Sequence, residues 1–256
     1  MSKRKNRFTD EELEDINEWS REREQTSIAQ ALSSRINIKC KSEAQREVVK
    51  SIDDNDISII TGPPGTGKTY LSCAKALKFI KEDHTKYKKI ILIKSVNVPR
   101  DEEIGYLKGD LNEKMEGFVY PFMSNFEKII GKAALQSLKA GGAIEILPIK
   151  FALGTTLDNS IIIIDEAQQI SKDNLRTLLT RIGENSKMIY LGDIKQKSVN
   201  KSQKSALEIL IEHFTKIEGI GVVELSKKDI VRHPIIEKIE EIFESIEVSE
   251  RLNGIK

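Results

Sequence analysis

Eight consecutive residues, Gly62 to Thr69, read GPPGTGKT and fit the pattern G-x-x-x-x-G-K-[ST]. Gly62, Gly65 and Gly67 can take backbone angles closed to other residues, so successive N–H groups can turn inward as a nest for an anion. Lys68 adds a cation for the β- and γ-phosphates of a nucleotide, and the Thr69 hydroxyl is the expected ligand of Mg2+. With Pro63, Pro64, Thr66 and Tyr70 these residues make up the expected nucleotide-contacting set. Ser160 to Glu166, SIIIIDE, is the second such stretch. Asp165 is expected to hold the magnesium through water, and Glu166 to be the base that orients the attacking water. Each stretch has a plain structural explanation, a Gly/Pro turn in one case and an acidic strand end in the other. Together in one chain they point to a bound nucleoside triphosphate and its hydrolysis.

Other polar residues are open to two explanations. Gln45 completes an S-x-x-Q capping box with Ser42. A carboxamide just upstream of a phosphate loop can also bond bidentately to adenine N6 and N7. Asp193 ends an apolar run, and Gln196, three residues on, is placed to report on a γ-phosphate. Lys195, Lys197, Lys201 and Lys204 follow within ten positions, either as a solvated loop or as a strip along a nucleic-acid backbone. Arg181 falls in the expected last turn of a helix with Gly183 as C-cap, where dipole stabilisation alone accounts for it.

The elements that must position these residues are legible from apolar spacing. Ile57 to Thr61 is a short apolar strand leading into the phosphate loop, and Thr69 to Ile80 has helical spacing. This places the loop at the positive end of a helix dipole. A helix opens at Ser42 with Val48, Val49 and Ile52 on one face, and ends at the turn Asp53–Asp56. Further strands are expected at Lys88–Lys94, Ala143–Ile149, Ser160–Glu166, Lys187–Asp193 and Gly221–Leu225. Four consecutive isoleucines describe a strand buried on both faces, which parallel sheets require. Helices are expected at Asn112–Ile130, interrupted near Gly117 and Pro121, at Ser171–Ile182, at Ser205–Ile217, and from Arg232 to about Ile246. The loop Ser95–Asp110 is long and polar, the kind that carries function. The resulting fold class is α/β, a mostly parallel sheet with helices on both faces. Residues 1–40 read as a short helical appendage and 41–256 as the main domain. In the appendage Thr9 caps a helix whose Leu13, Ile16 and Trp19 are either local packing or a docking stripe for a neighbour.

Composition narrows the partners. The chain has 256 residues, 39% hydrophobic and 32% charged, with a formal net charge of +1. A nucleic-acid surface would therefore come from a local patch, since no global field steers a polyanion. Cys40 and Cys73 match no metal or redox spacing and read as reduced thiols of a cytoplasmic protein. The basic start Ser2–Arg7 is followed by no apolar core, and no run approaches membrane-spanning length, so no membrane is expected.

GPPGTGKT, IGYLKGDLNEKM, GTTLDNSIIIIDEAQ, LLTRIGENSKMIYLGDIKQ and DIVRHPIIEKI occur in the order and spacing of the PhoH-like proteins. The resemblance runs from about Ser42 to Ile246. It implies a RecA-like P-loop ATPase core akin to the first motor domain of superfamily-one helicases, with ATP and Mg2+ as ligands. It also implies RNA or DNA transactions, with helicase or translocase activity among them. By resemblance Gln45 matches the adenine glutamine, Asp193 and Gln196 the motif coupling γ-phosphate to nucleic acid, and Arg232 the γ-phosphate arginine. The chain departs from the family at Phe151–Leu157, which lacks the usual arginines, at Gln169 for the usual asparagine, and at Lys197-Ser198. A helicase of this type needs a second RecA-like domain, and only about thirty residues follow Leu225. The expectation is therefore slow hydrolysis alone, or a homo-oligomer, a ring such as a hexamer, in which a neighbour supplies an arginine. Arg232 is favoured for the site within one chain and Arg181 for its neighbour. An ATP-controlled scaffold without unwinding activity is the competing reading. A small-molecule kinase is disfavoured because no lid or acceptor pocket is evident.

Overall fold

A computed structural model of the chain describes residues 28–33, 35–94, 111–196, 204–231 and 235–252. Its strands are the apolar, β-branched runs. They are β1 (Ile57–Thr61), β2 (Lys89–Lys94), β3 (Ile144–Ile146), β4 (Ser160–Asp165), β5 (Lys187–Gly192) and β6 (Ile220–Glu224). They form one sheet in the order β3-β2-β4-β5-β1-β6, and every pairing is parallel. All six strands therefore end on the same edge, and β5 stands between β1 and β4. This is the RecA-like P-loop NTPase arrangement, as expected.

Alternation along the strands builds two cores. Ile60, Ile90, Leu92, Ile161, Ile163, Ile189 and Leu191 face one side. Ile59, Ile91, Ile93, Ile162, Ile164, Met188 and Tyr190 face the other. The four isoleucines of β4 are 0% exposed, each worth up to ~1.5–3 kcal/mol of burial. No amphipathic alternative could bury all four, so the run must be a central strand.

Helices cover both faces. On the first lie α1 (Glu43–Asp54), α2 (Lys68–Glu82), α3 (Leu111–Ile130) and α4 (Lys132–Ala140). Ile28 and Leu32 are buried in this same core. On the second lie α5 (Ile149–Ala152), α6 (Lys172–Leu179) and α7 (Ala206–Phe214). A last helix, α8 (Ile235–Leu252), follows β6. The C-terminal carbonyls of α1 are held by a buried lysine of β5: Lys187 Nζ donates to Asp53 O (3.0 Å) and Asn55 O (2.6 Å). A cation there also suits the negative end of the helix.

Three elements differ from the expectation in ways that their residues explain. α3 runs unbroken through Gly117 and Pro121. An interior proline costs about 3 kcal/mol, but Val119, Phe122 and Phe126 are all 0% exposed against the sheet, and their burial is the larger effect. Strand β3 stops at Ile146 rather than Ile149, because Pro148 supplies no ladder N–H and instead opens α5. α6 ends at Leu179 with Thr180 as C-cap, so Arg181 lies beyond the helix and Arg176 is the basic residue of its last turn. The dipole explanation thus belongs to Arg176. The expected N-terminal helix with Trp19, and the loop 95–110, lie outside the described residues.

Candidate active site

The segments leaving β1, β4 and β5 converge at one edge of the sheet. After β1 the backbone is left-handed or near it at Gly62 (φ 148°), Gly65 (φ 86°) and Gly67 (φ 89°). A Cβ at Gly62 would overlap the Leu225 carbonyl, so the close approach of the loop to the end of β6 requires glycine. Gly67 is the N-cap of α2 and provides no side-chain cap. The first amides of α2 are therefore not taken up by a capping side chain and can serve an anion. Lys68 Nζ lies across the loop, donating to Gly62 O (2.6 Å) and Pro63 O (2.9 Å). Thr66 braces the loop from within, its Oγ1 donating to Pro63 O at 2.9 Å. Val231 N donates to Gly65 O (3.0 Å), pinning the chain after β6 to the loop.

Gln45 sits under this loop. Ser42 Oγ accepts from Gln45 N (3.2 Å), the first half of the expected capping box. The other half is displaced by one residue, since Gln45 Oε1 accepts from Lys41 N at 2.7 Å. Gln45 Nε2 donates to Thr66 O (2.9 Å), and the residue is 3% exposed. Its carboxamide therefore ties α1 to the phosphate loop. Each of its polar atoms retains capacity for one more bond.

Asp165 closes β4, and Glu166 follows in a left-handed conformation (φ 56°, ψ 41°). That turn, uncommon for a non-glycine residue, takes the chain sharply off the strand into the 3-10 turn Ala167–Gln169. Burial, and then the neighbouring Glu166 charge, push the Asp165 carboxyl above its ordinary range, with Lys94 and Lys68 partly opposing. Asp193 follows β5. Its Oδ1 accepts from Lys195 N (3.0 Å) and its Oδ2 from Gln196 Nε2 (3.2 Å).

A cavity of about 390 Å³ takes in Pro64, Gly65, Gly67, Lys68, Thr69 and Tyr70. Asp165, Glu166, Asp193 and Gln196 also line it, and Asn125 and Lys128 of α3 form a further wall. A larger cavity of about 600 Å³, lined by Lys187 and Gly219 among others, lies at the strands' N-terminal ends and contains none of the motif residues. The expected residues thus come together, with six exceptions. Gly62, Pro63, Thr66 and Gln45 support the loop from behind and do not line the cavity. Arg181 pairs with the segment before β4, its carbonyl accepting from Leu157 N at 2.8 Å, and so sits toward the opposite end of the sheet. Arg232 lies outside the described residues.

The donor set also bears on the metal. Among the described residues no group of three or more His, Cys, Asp or Glu side chains could hold an ion. Mg2+ does not require one, since it keeps several waters and takes one or two protein oxygens beside phosphate oxygens. Thr69 and Asp165 line the same cavity and fit that role.

Asp165 yields a stability prediction. Because its folded-state pKa is raised, the folded chain binds this proton more tightly than the unfolded chain. Stability therefore falls as pH rises from the ordinary carboxylate pKa through the raised one. At neutral pH the ionised, buried Asp165 is a burden that Lys94 and Lys68 offset only in part. Asp165→Asn is expected to raise the melting temperature of the nucleotide-free chain at pH 7. The same variant should lose the extra stabilisation that Mg2+ with ATP gives the wild type. Thermal melts with and without Mg2+ and nucleotide decide both points.

Gln168, Lys94, Asn125 and Lys128 were not singled out by sequence. The one available signal was Gln168, a polar residue in DEAQ directly after a motif that must be precisely oriented.

The PhoH-like protein family profile matches residues 37–244. A PhoH-like protein of Bacillus subtilis is 39% identical over 207 residues, covering 81% of this chain and 64% of that protein. One from Synechocystis is 34% identical over 210 residues, covering 82% of this chain and 63% of that protein. The chain thus spans less than two-thirds of the length of these relatives. Among solved structures, the large terminase of a thermophilic bacteriophage aligns with 78% of this chain and 49% of its own, at 11% identity and a TM-score of 0.47.

Proposed function

The chain belongs to the PhoH-like protein family, and on that premise we propose that it binds ATP with Mg2+ and hydrolyses it while acting on nucleic acid. One observation carries the hydrolysis reading. A single cavity gathers the glycine loop, Lys68 and Thr69 from one strand exit and Asp165 and Glu166 from another. The loop amides and Lys68 would bind the β- and γ-phosphates, Lys68 exchanging the Gly62 and Pro63 carbonyls for phosphate oxygens. Thr69 and Asp165 would hold Mg2+, which when bound neutralises charge on the β- and γ-oxygens. Glu166 orients water in line with the γ-phosphorus and takes its proton as the new P–O bond forms. The bond to the bridging oxygen breaks, and ADP leaves with the electron pair.

The nucleic-acid part rests on placement. The lysine strip begins at Lys195, two residues after Asp193, which lines the cavity. Lys204 is exposed, beside Glu212, with which it forms an ion pair. Lys197 and Lys201 lie outside the described residues. Single-stranded RNA or DNA bound along this strip should bind with steep salt dependence. Neutralising Lys197, Lys201 and Lys204 together should flatten the slope of log K against log salt by about 2, at ~0.7 per phosphate contact on a single strand. Nucleotide affinity should stay unchanged. Fluorescence anisotropy of labelled oligonucleotides across a salt series measures it, and an unaltered slope would assign these lysines to solvation. No helix among the described residues is long and apolar enough to cross a membrane, and the composition suits a cytoplasmic protein. A scaffold whose nucleotide only sets assembly remains the alternative, and measured phosphate release separates the two.

A further inference from the structure

Gln168 is 1% exposed and lies two residues beyond Glu166. Its Nε2 donates to Glu166 Oε2 at 2.6 Å, and its Oε1 accepts from Asp193 N at 3.2 Å. Only this orientation of the amide works. Reversed, it would set its oxygen against a carboxylate and its NH2 against a backbone N–H. The neighbouring strand is shaped to admit it: a Cβ on Gly192 would overlap Gln168 Oε1. Beyond Asp193 the bonds continue through its carboxylate to Lys195 N and Gln196 Nε2. A continuous line of hydrogen bonds therefore joins Glu166 to the segment from which the lysine strip departs.

We infer that Gln168 is the positioning residue for hydrolysis: it fixes the Glu166 carboxylate and ties it to the 193–196 segment after β5. The inference rests on the reading of Glu166 as the residue that orients water. Glu166 lies on a left-handed turn at a cavity wall, and the bond from Gln168 joins one carboxylate oxygen to a buried amide. A bond to a charged acceptor is roughly twice as strong as a neutral one. The amide has no proton to give up, so its contribution is orientation. Gln168 is itself anchored by a backbone N–H, so movement of Asp193 transmits to the carboxylate without any change at the phosphate loop.

The test measures ATP turnover of the full chain alongside direct binding of a non-hydrolysable ATP analogue. Gln168→Leu keeps the volume and removes both bonds. It should lower kcat about 30–100-fold, the scale of a small misplacement of a reacting group, and change the analogue Kd less than threefold. Combined with Glu166→Gln it should cause no further loss, because a residue acting through Glu166 has nothing left to act on. A merely structural residue would multiply the two losses. Should Gln168→Leu fail to fold, Gly192→Ala displaces the same amide from the neighbouring strand and is held to the same criteria. A kcat within threefold of wild type, or losses that multiply in the double variant, overturns the inference alone. A wild type that releases no phosphate overturns the hydrolysis reading and this inference with it.

Discussion

Glu166→Gln should bind ATP with a Kd within about threefold of wild type and hydrolyse it at least a thousandfold more slowly. Orienting and deprotonating water acts in the transition state, whereas a residue facing the attacking water adds little to ground-state binding. The carboxamide has nearly the same shape, so the left-handed turn at Glu166 and the bond from Gln168 can persist. Lys68→Ala makes the opposite change. It removes the cation now lodged on the Gly62 and Pro63 carbonyls, and ATP affinity should fall at least tenfold with hydrolysis lost. Calorimetric titration with the ATP analogue and phosphate-release kinetics separate the two phenotypes. Wild-type hydrolysis by Glu166→Gln would remove it from the mechanism.

Arg181→Ala should lower turnover about a thousandfold, the contribution typical of an arginine finger, provided the protein acts as the homo-oligomeric ring expected from its sequence. The residue lies toward the end of the sheet opposite its own cavity, paired with the segment before β4. It does not line that cavity, so a catalytic role would be played in a neighbour's site. Its Nε is buried without a hydrogen-bond partner among the described residues, a costly arrangement that a helix-end role does not explain. Mixing Lys68→Ala chains with Arg181→Ala chains should restore activity, since some interfaces then join an intact loop to an intact arginine. At equal proportions about a quarter of interfaces qualify in a ring of head-to-tail contacts. If mixed assemblies form and recover nothing, the arginine does not come from Arg181 in trans.

The parts of the site legible in the sequence are those in which local chemistry dictates residue type. Positive φ at Gly65 and Gly67 leaves glycine as the ready choice, and double-sided burial of β4 demands a run such as Ile161–Ile164. What escaped depends on contacts remote in sequence. Gln45 reaches Thr66, and Gln168 meets Asp193, only because the sheet order brings β5 beside β4 and folds α1 under the loop. No spacing along the chain encodes that. The unbroken α3 was hidden for a related reason, since local propensity at Pro121 argues for a break that three buried side chains override. Arg181 was misplaced by two residues of helix, which was enough to assign it the wrong explanation.

Phosphate release from ATP by the purified full chain under single-turnover conditions tests the central claim most directly. Mg2+ is supplied or withheld, and the wild type is compared with Glu166→Gln. The account predicts Mg2+-dependent release by the wild type, and near-silence from Glu166→Gln although that variant holds ATP as tightly. Release that ignores Mg2+, or that proceeds equally in both proteins, would contradict it.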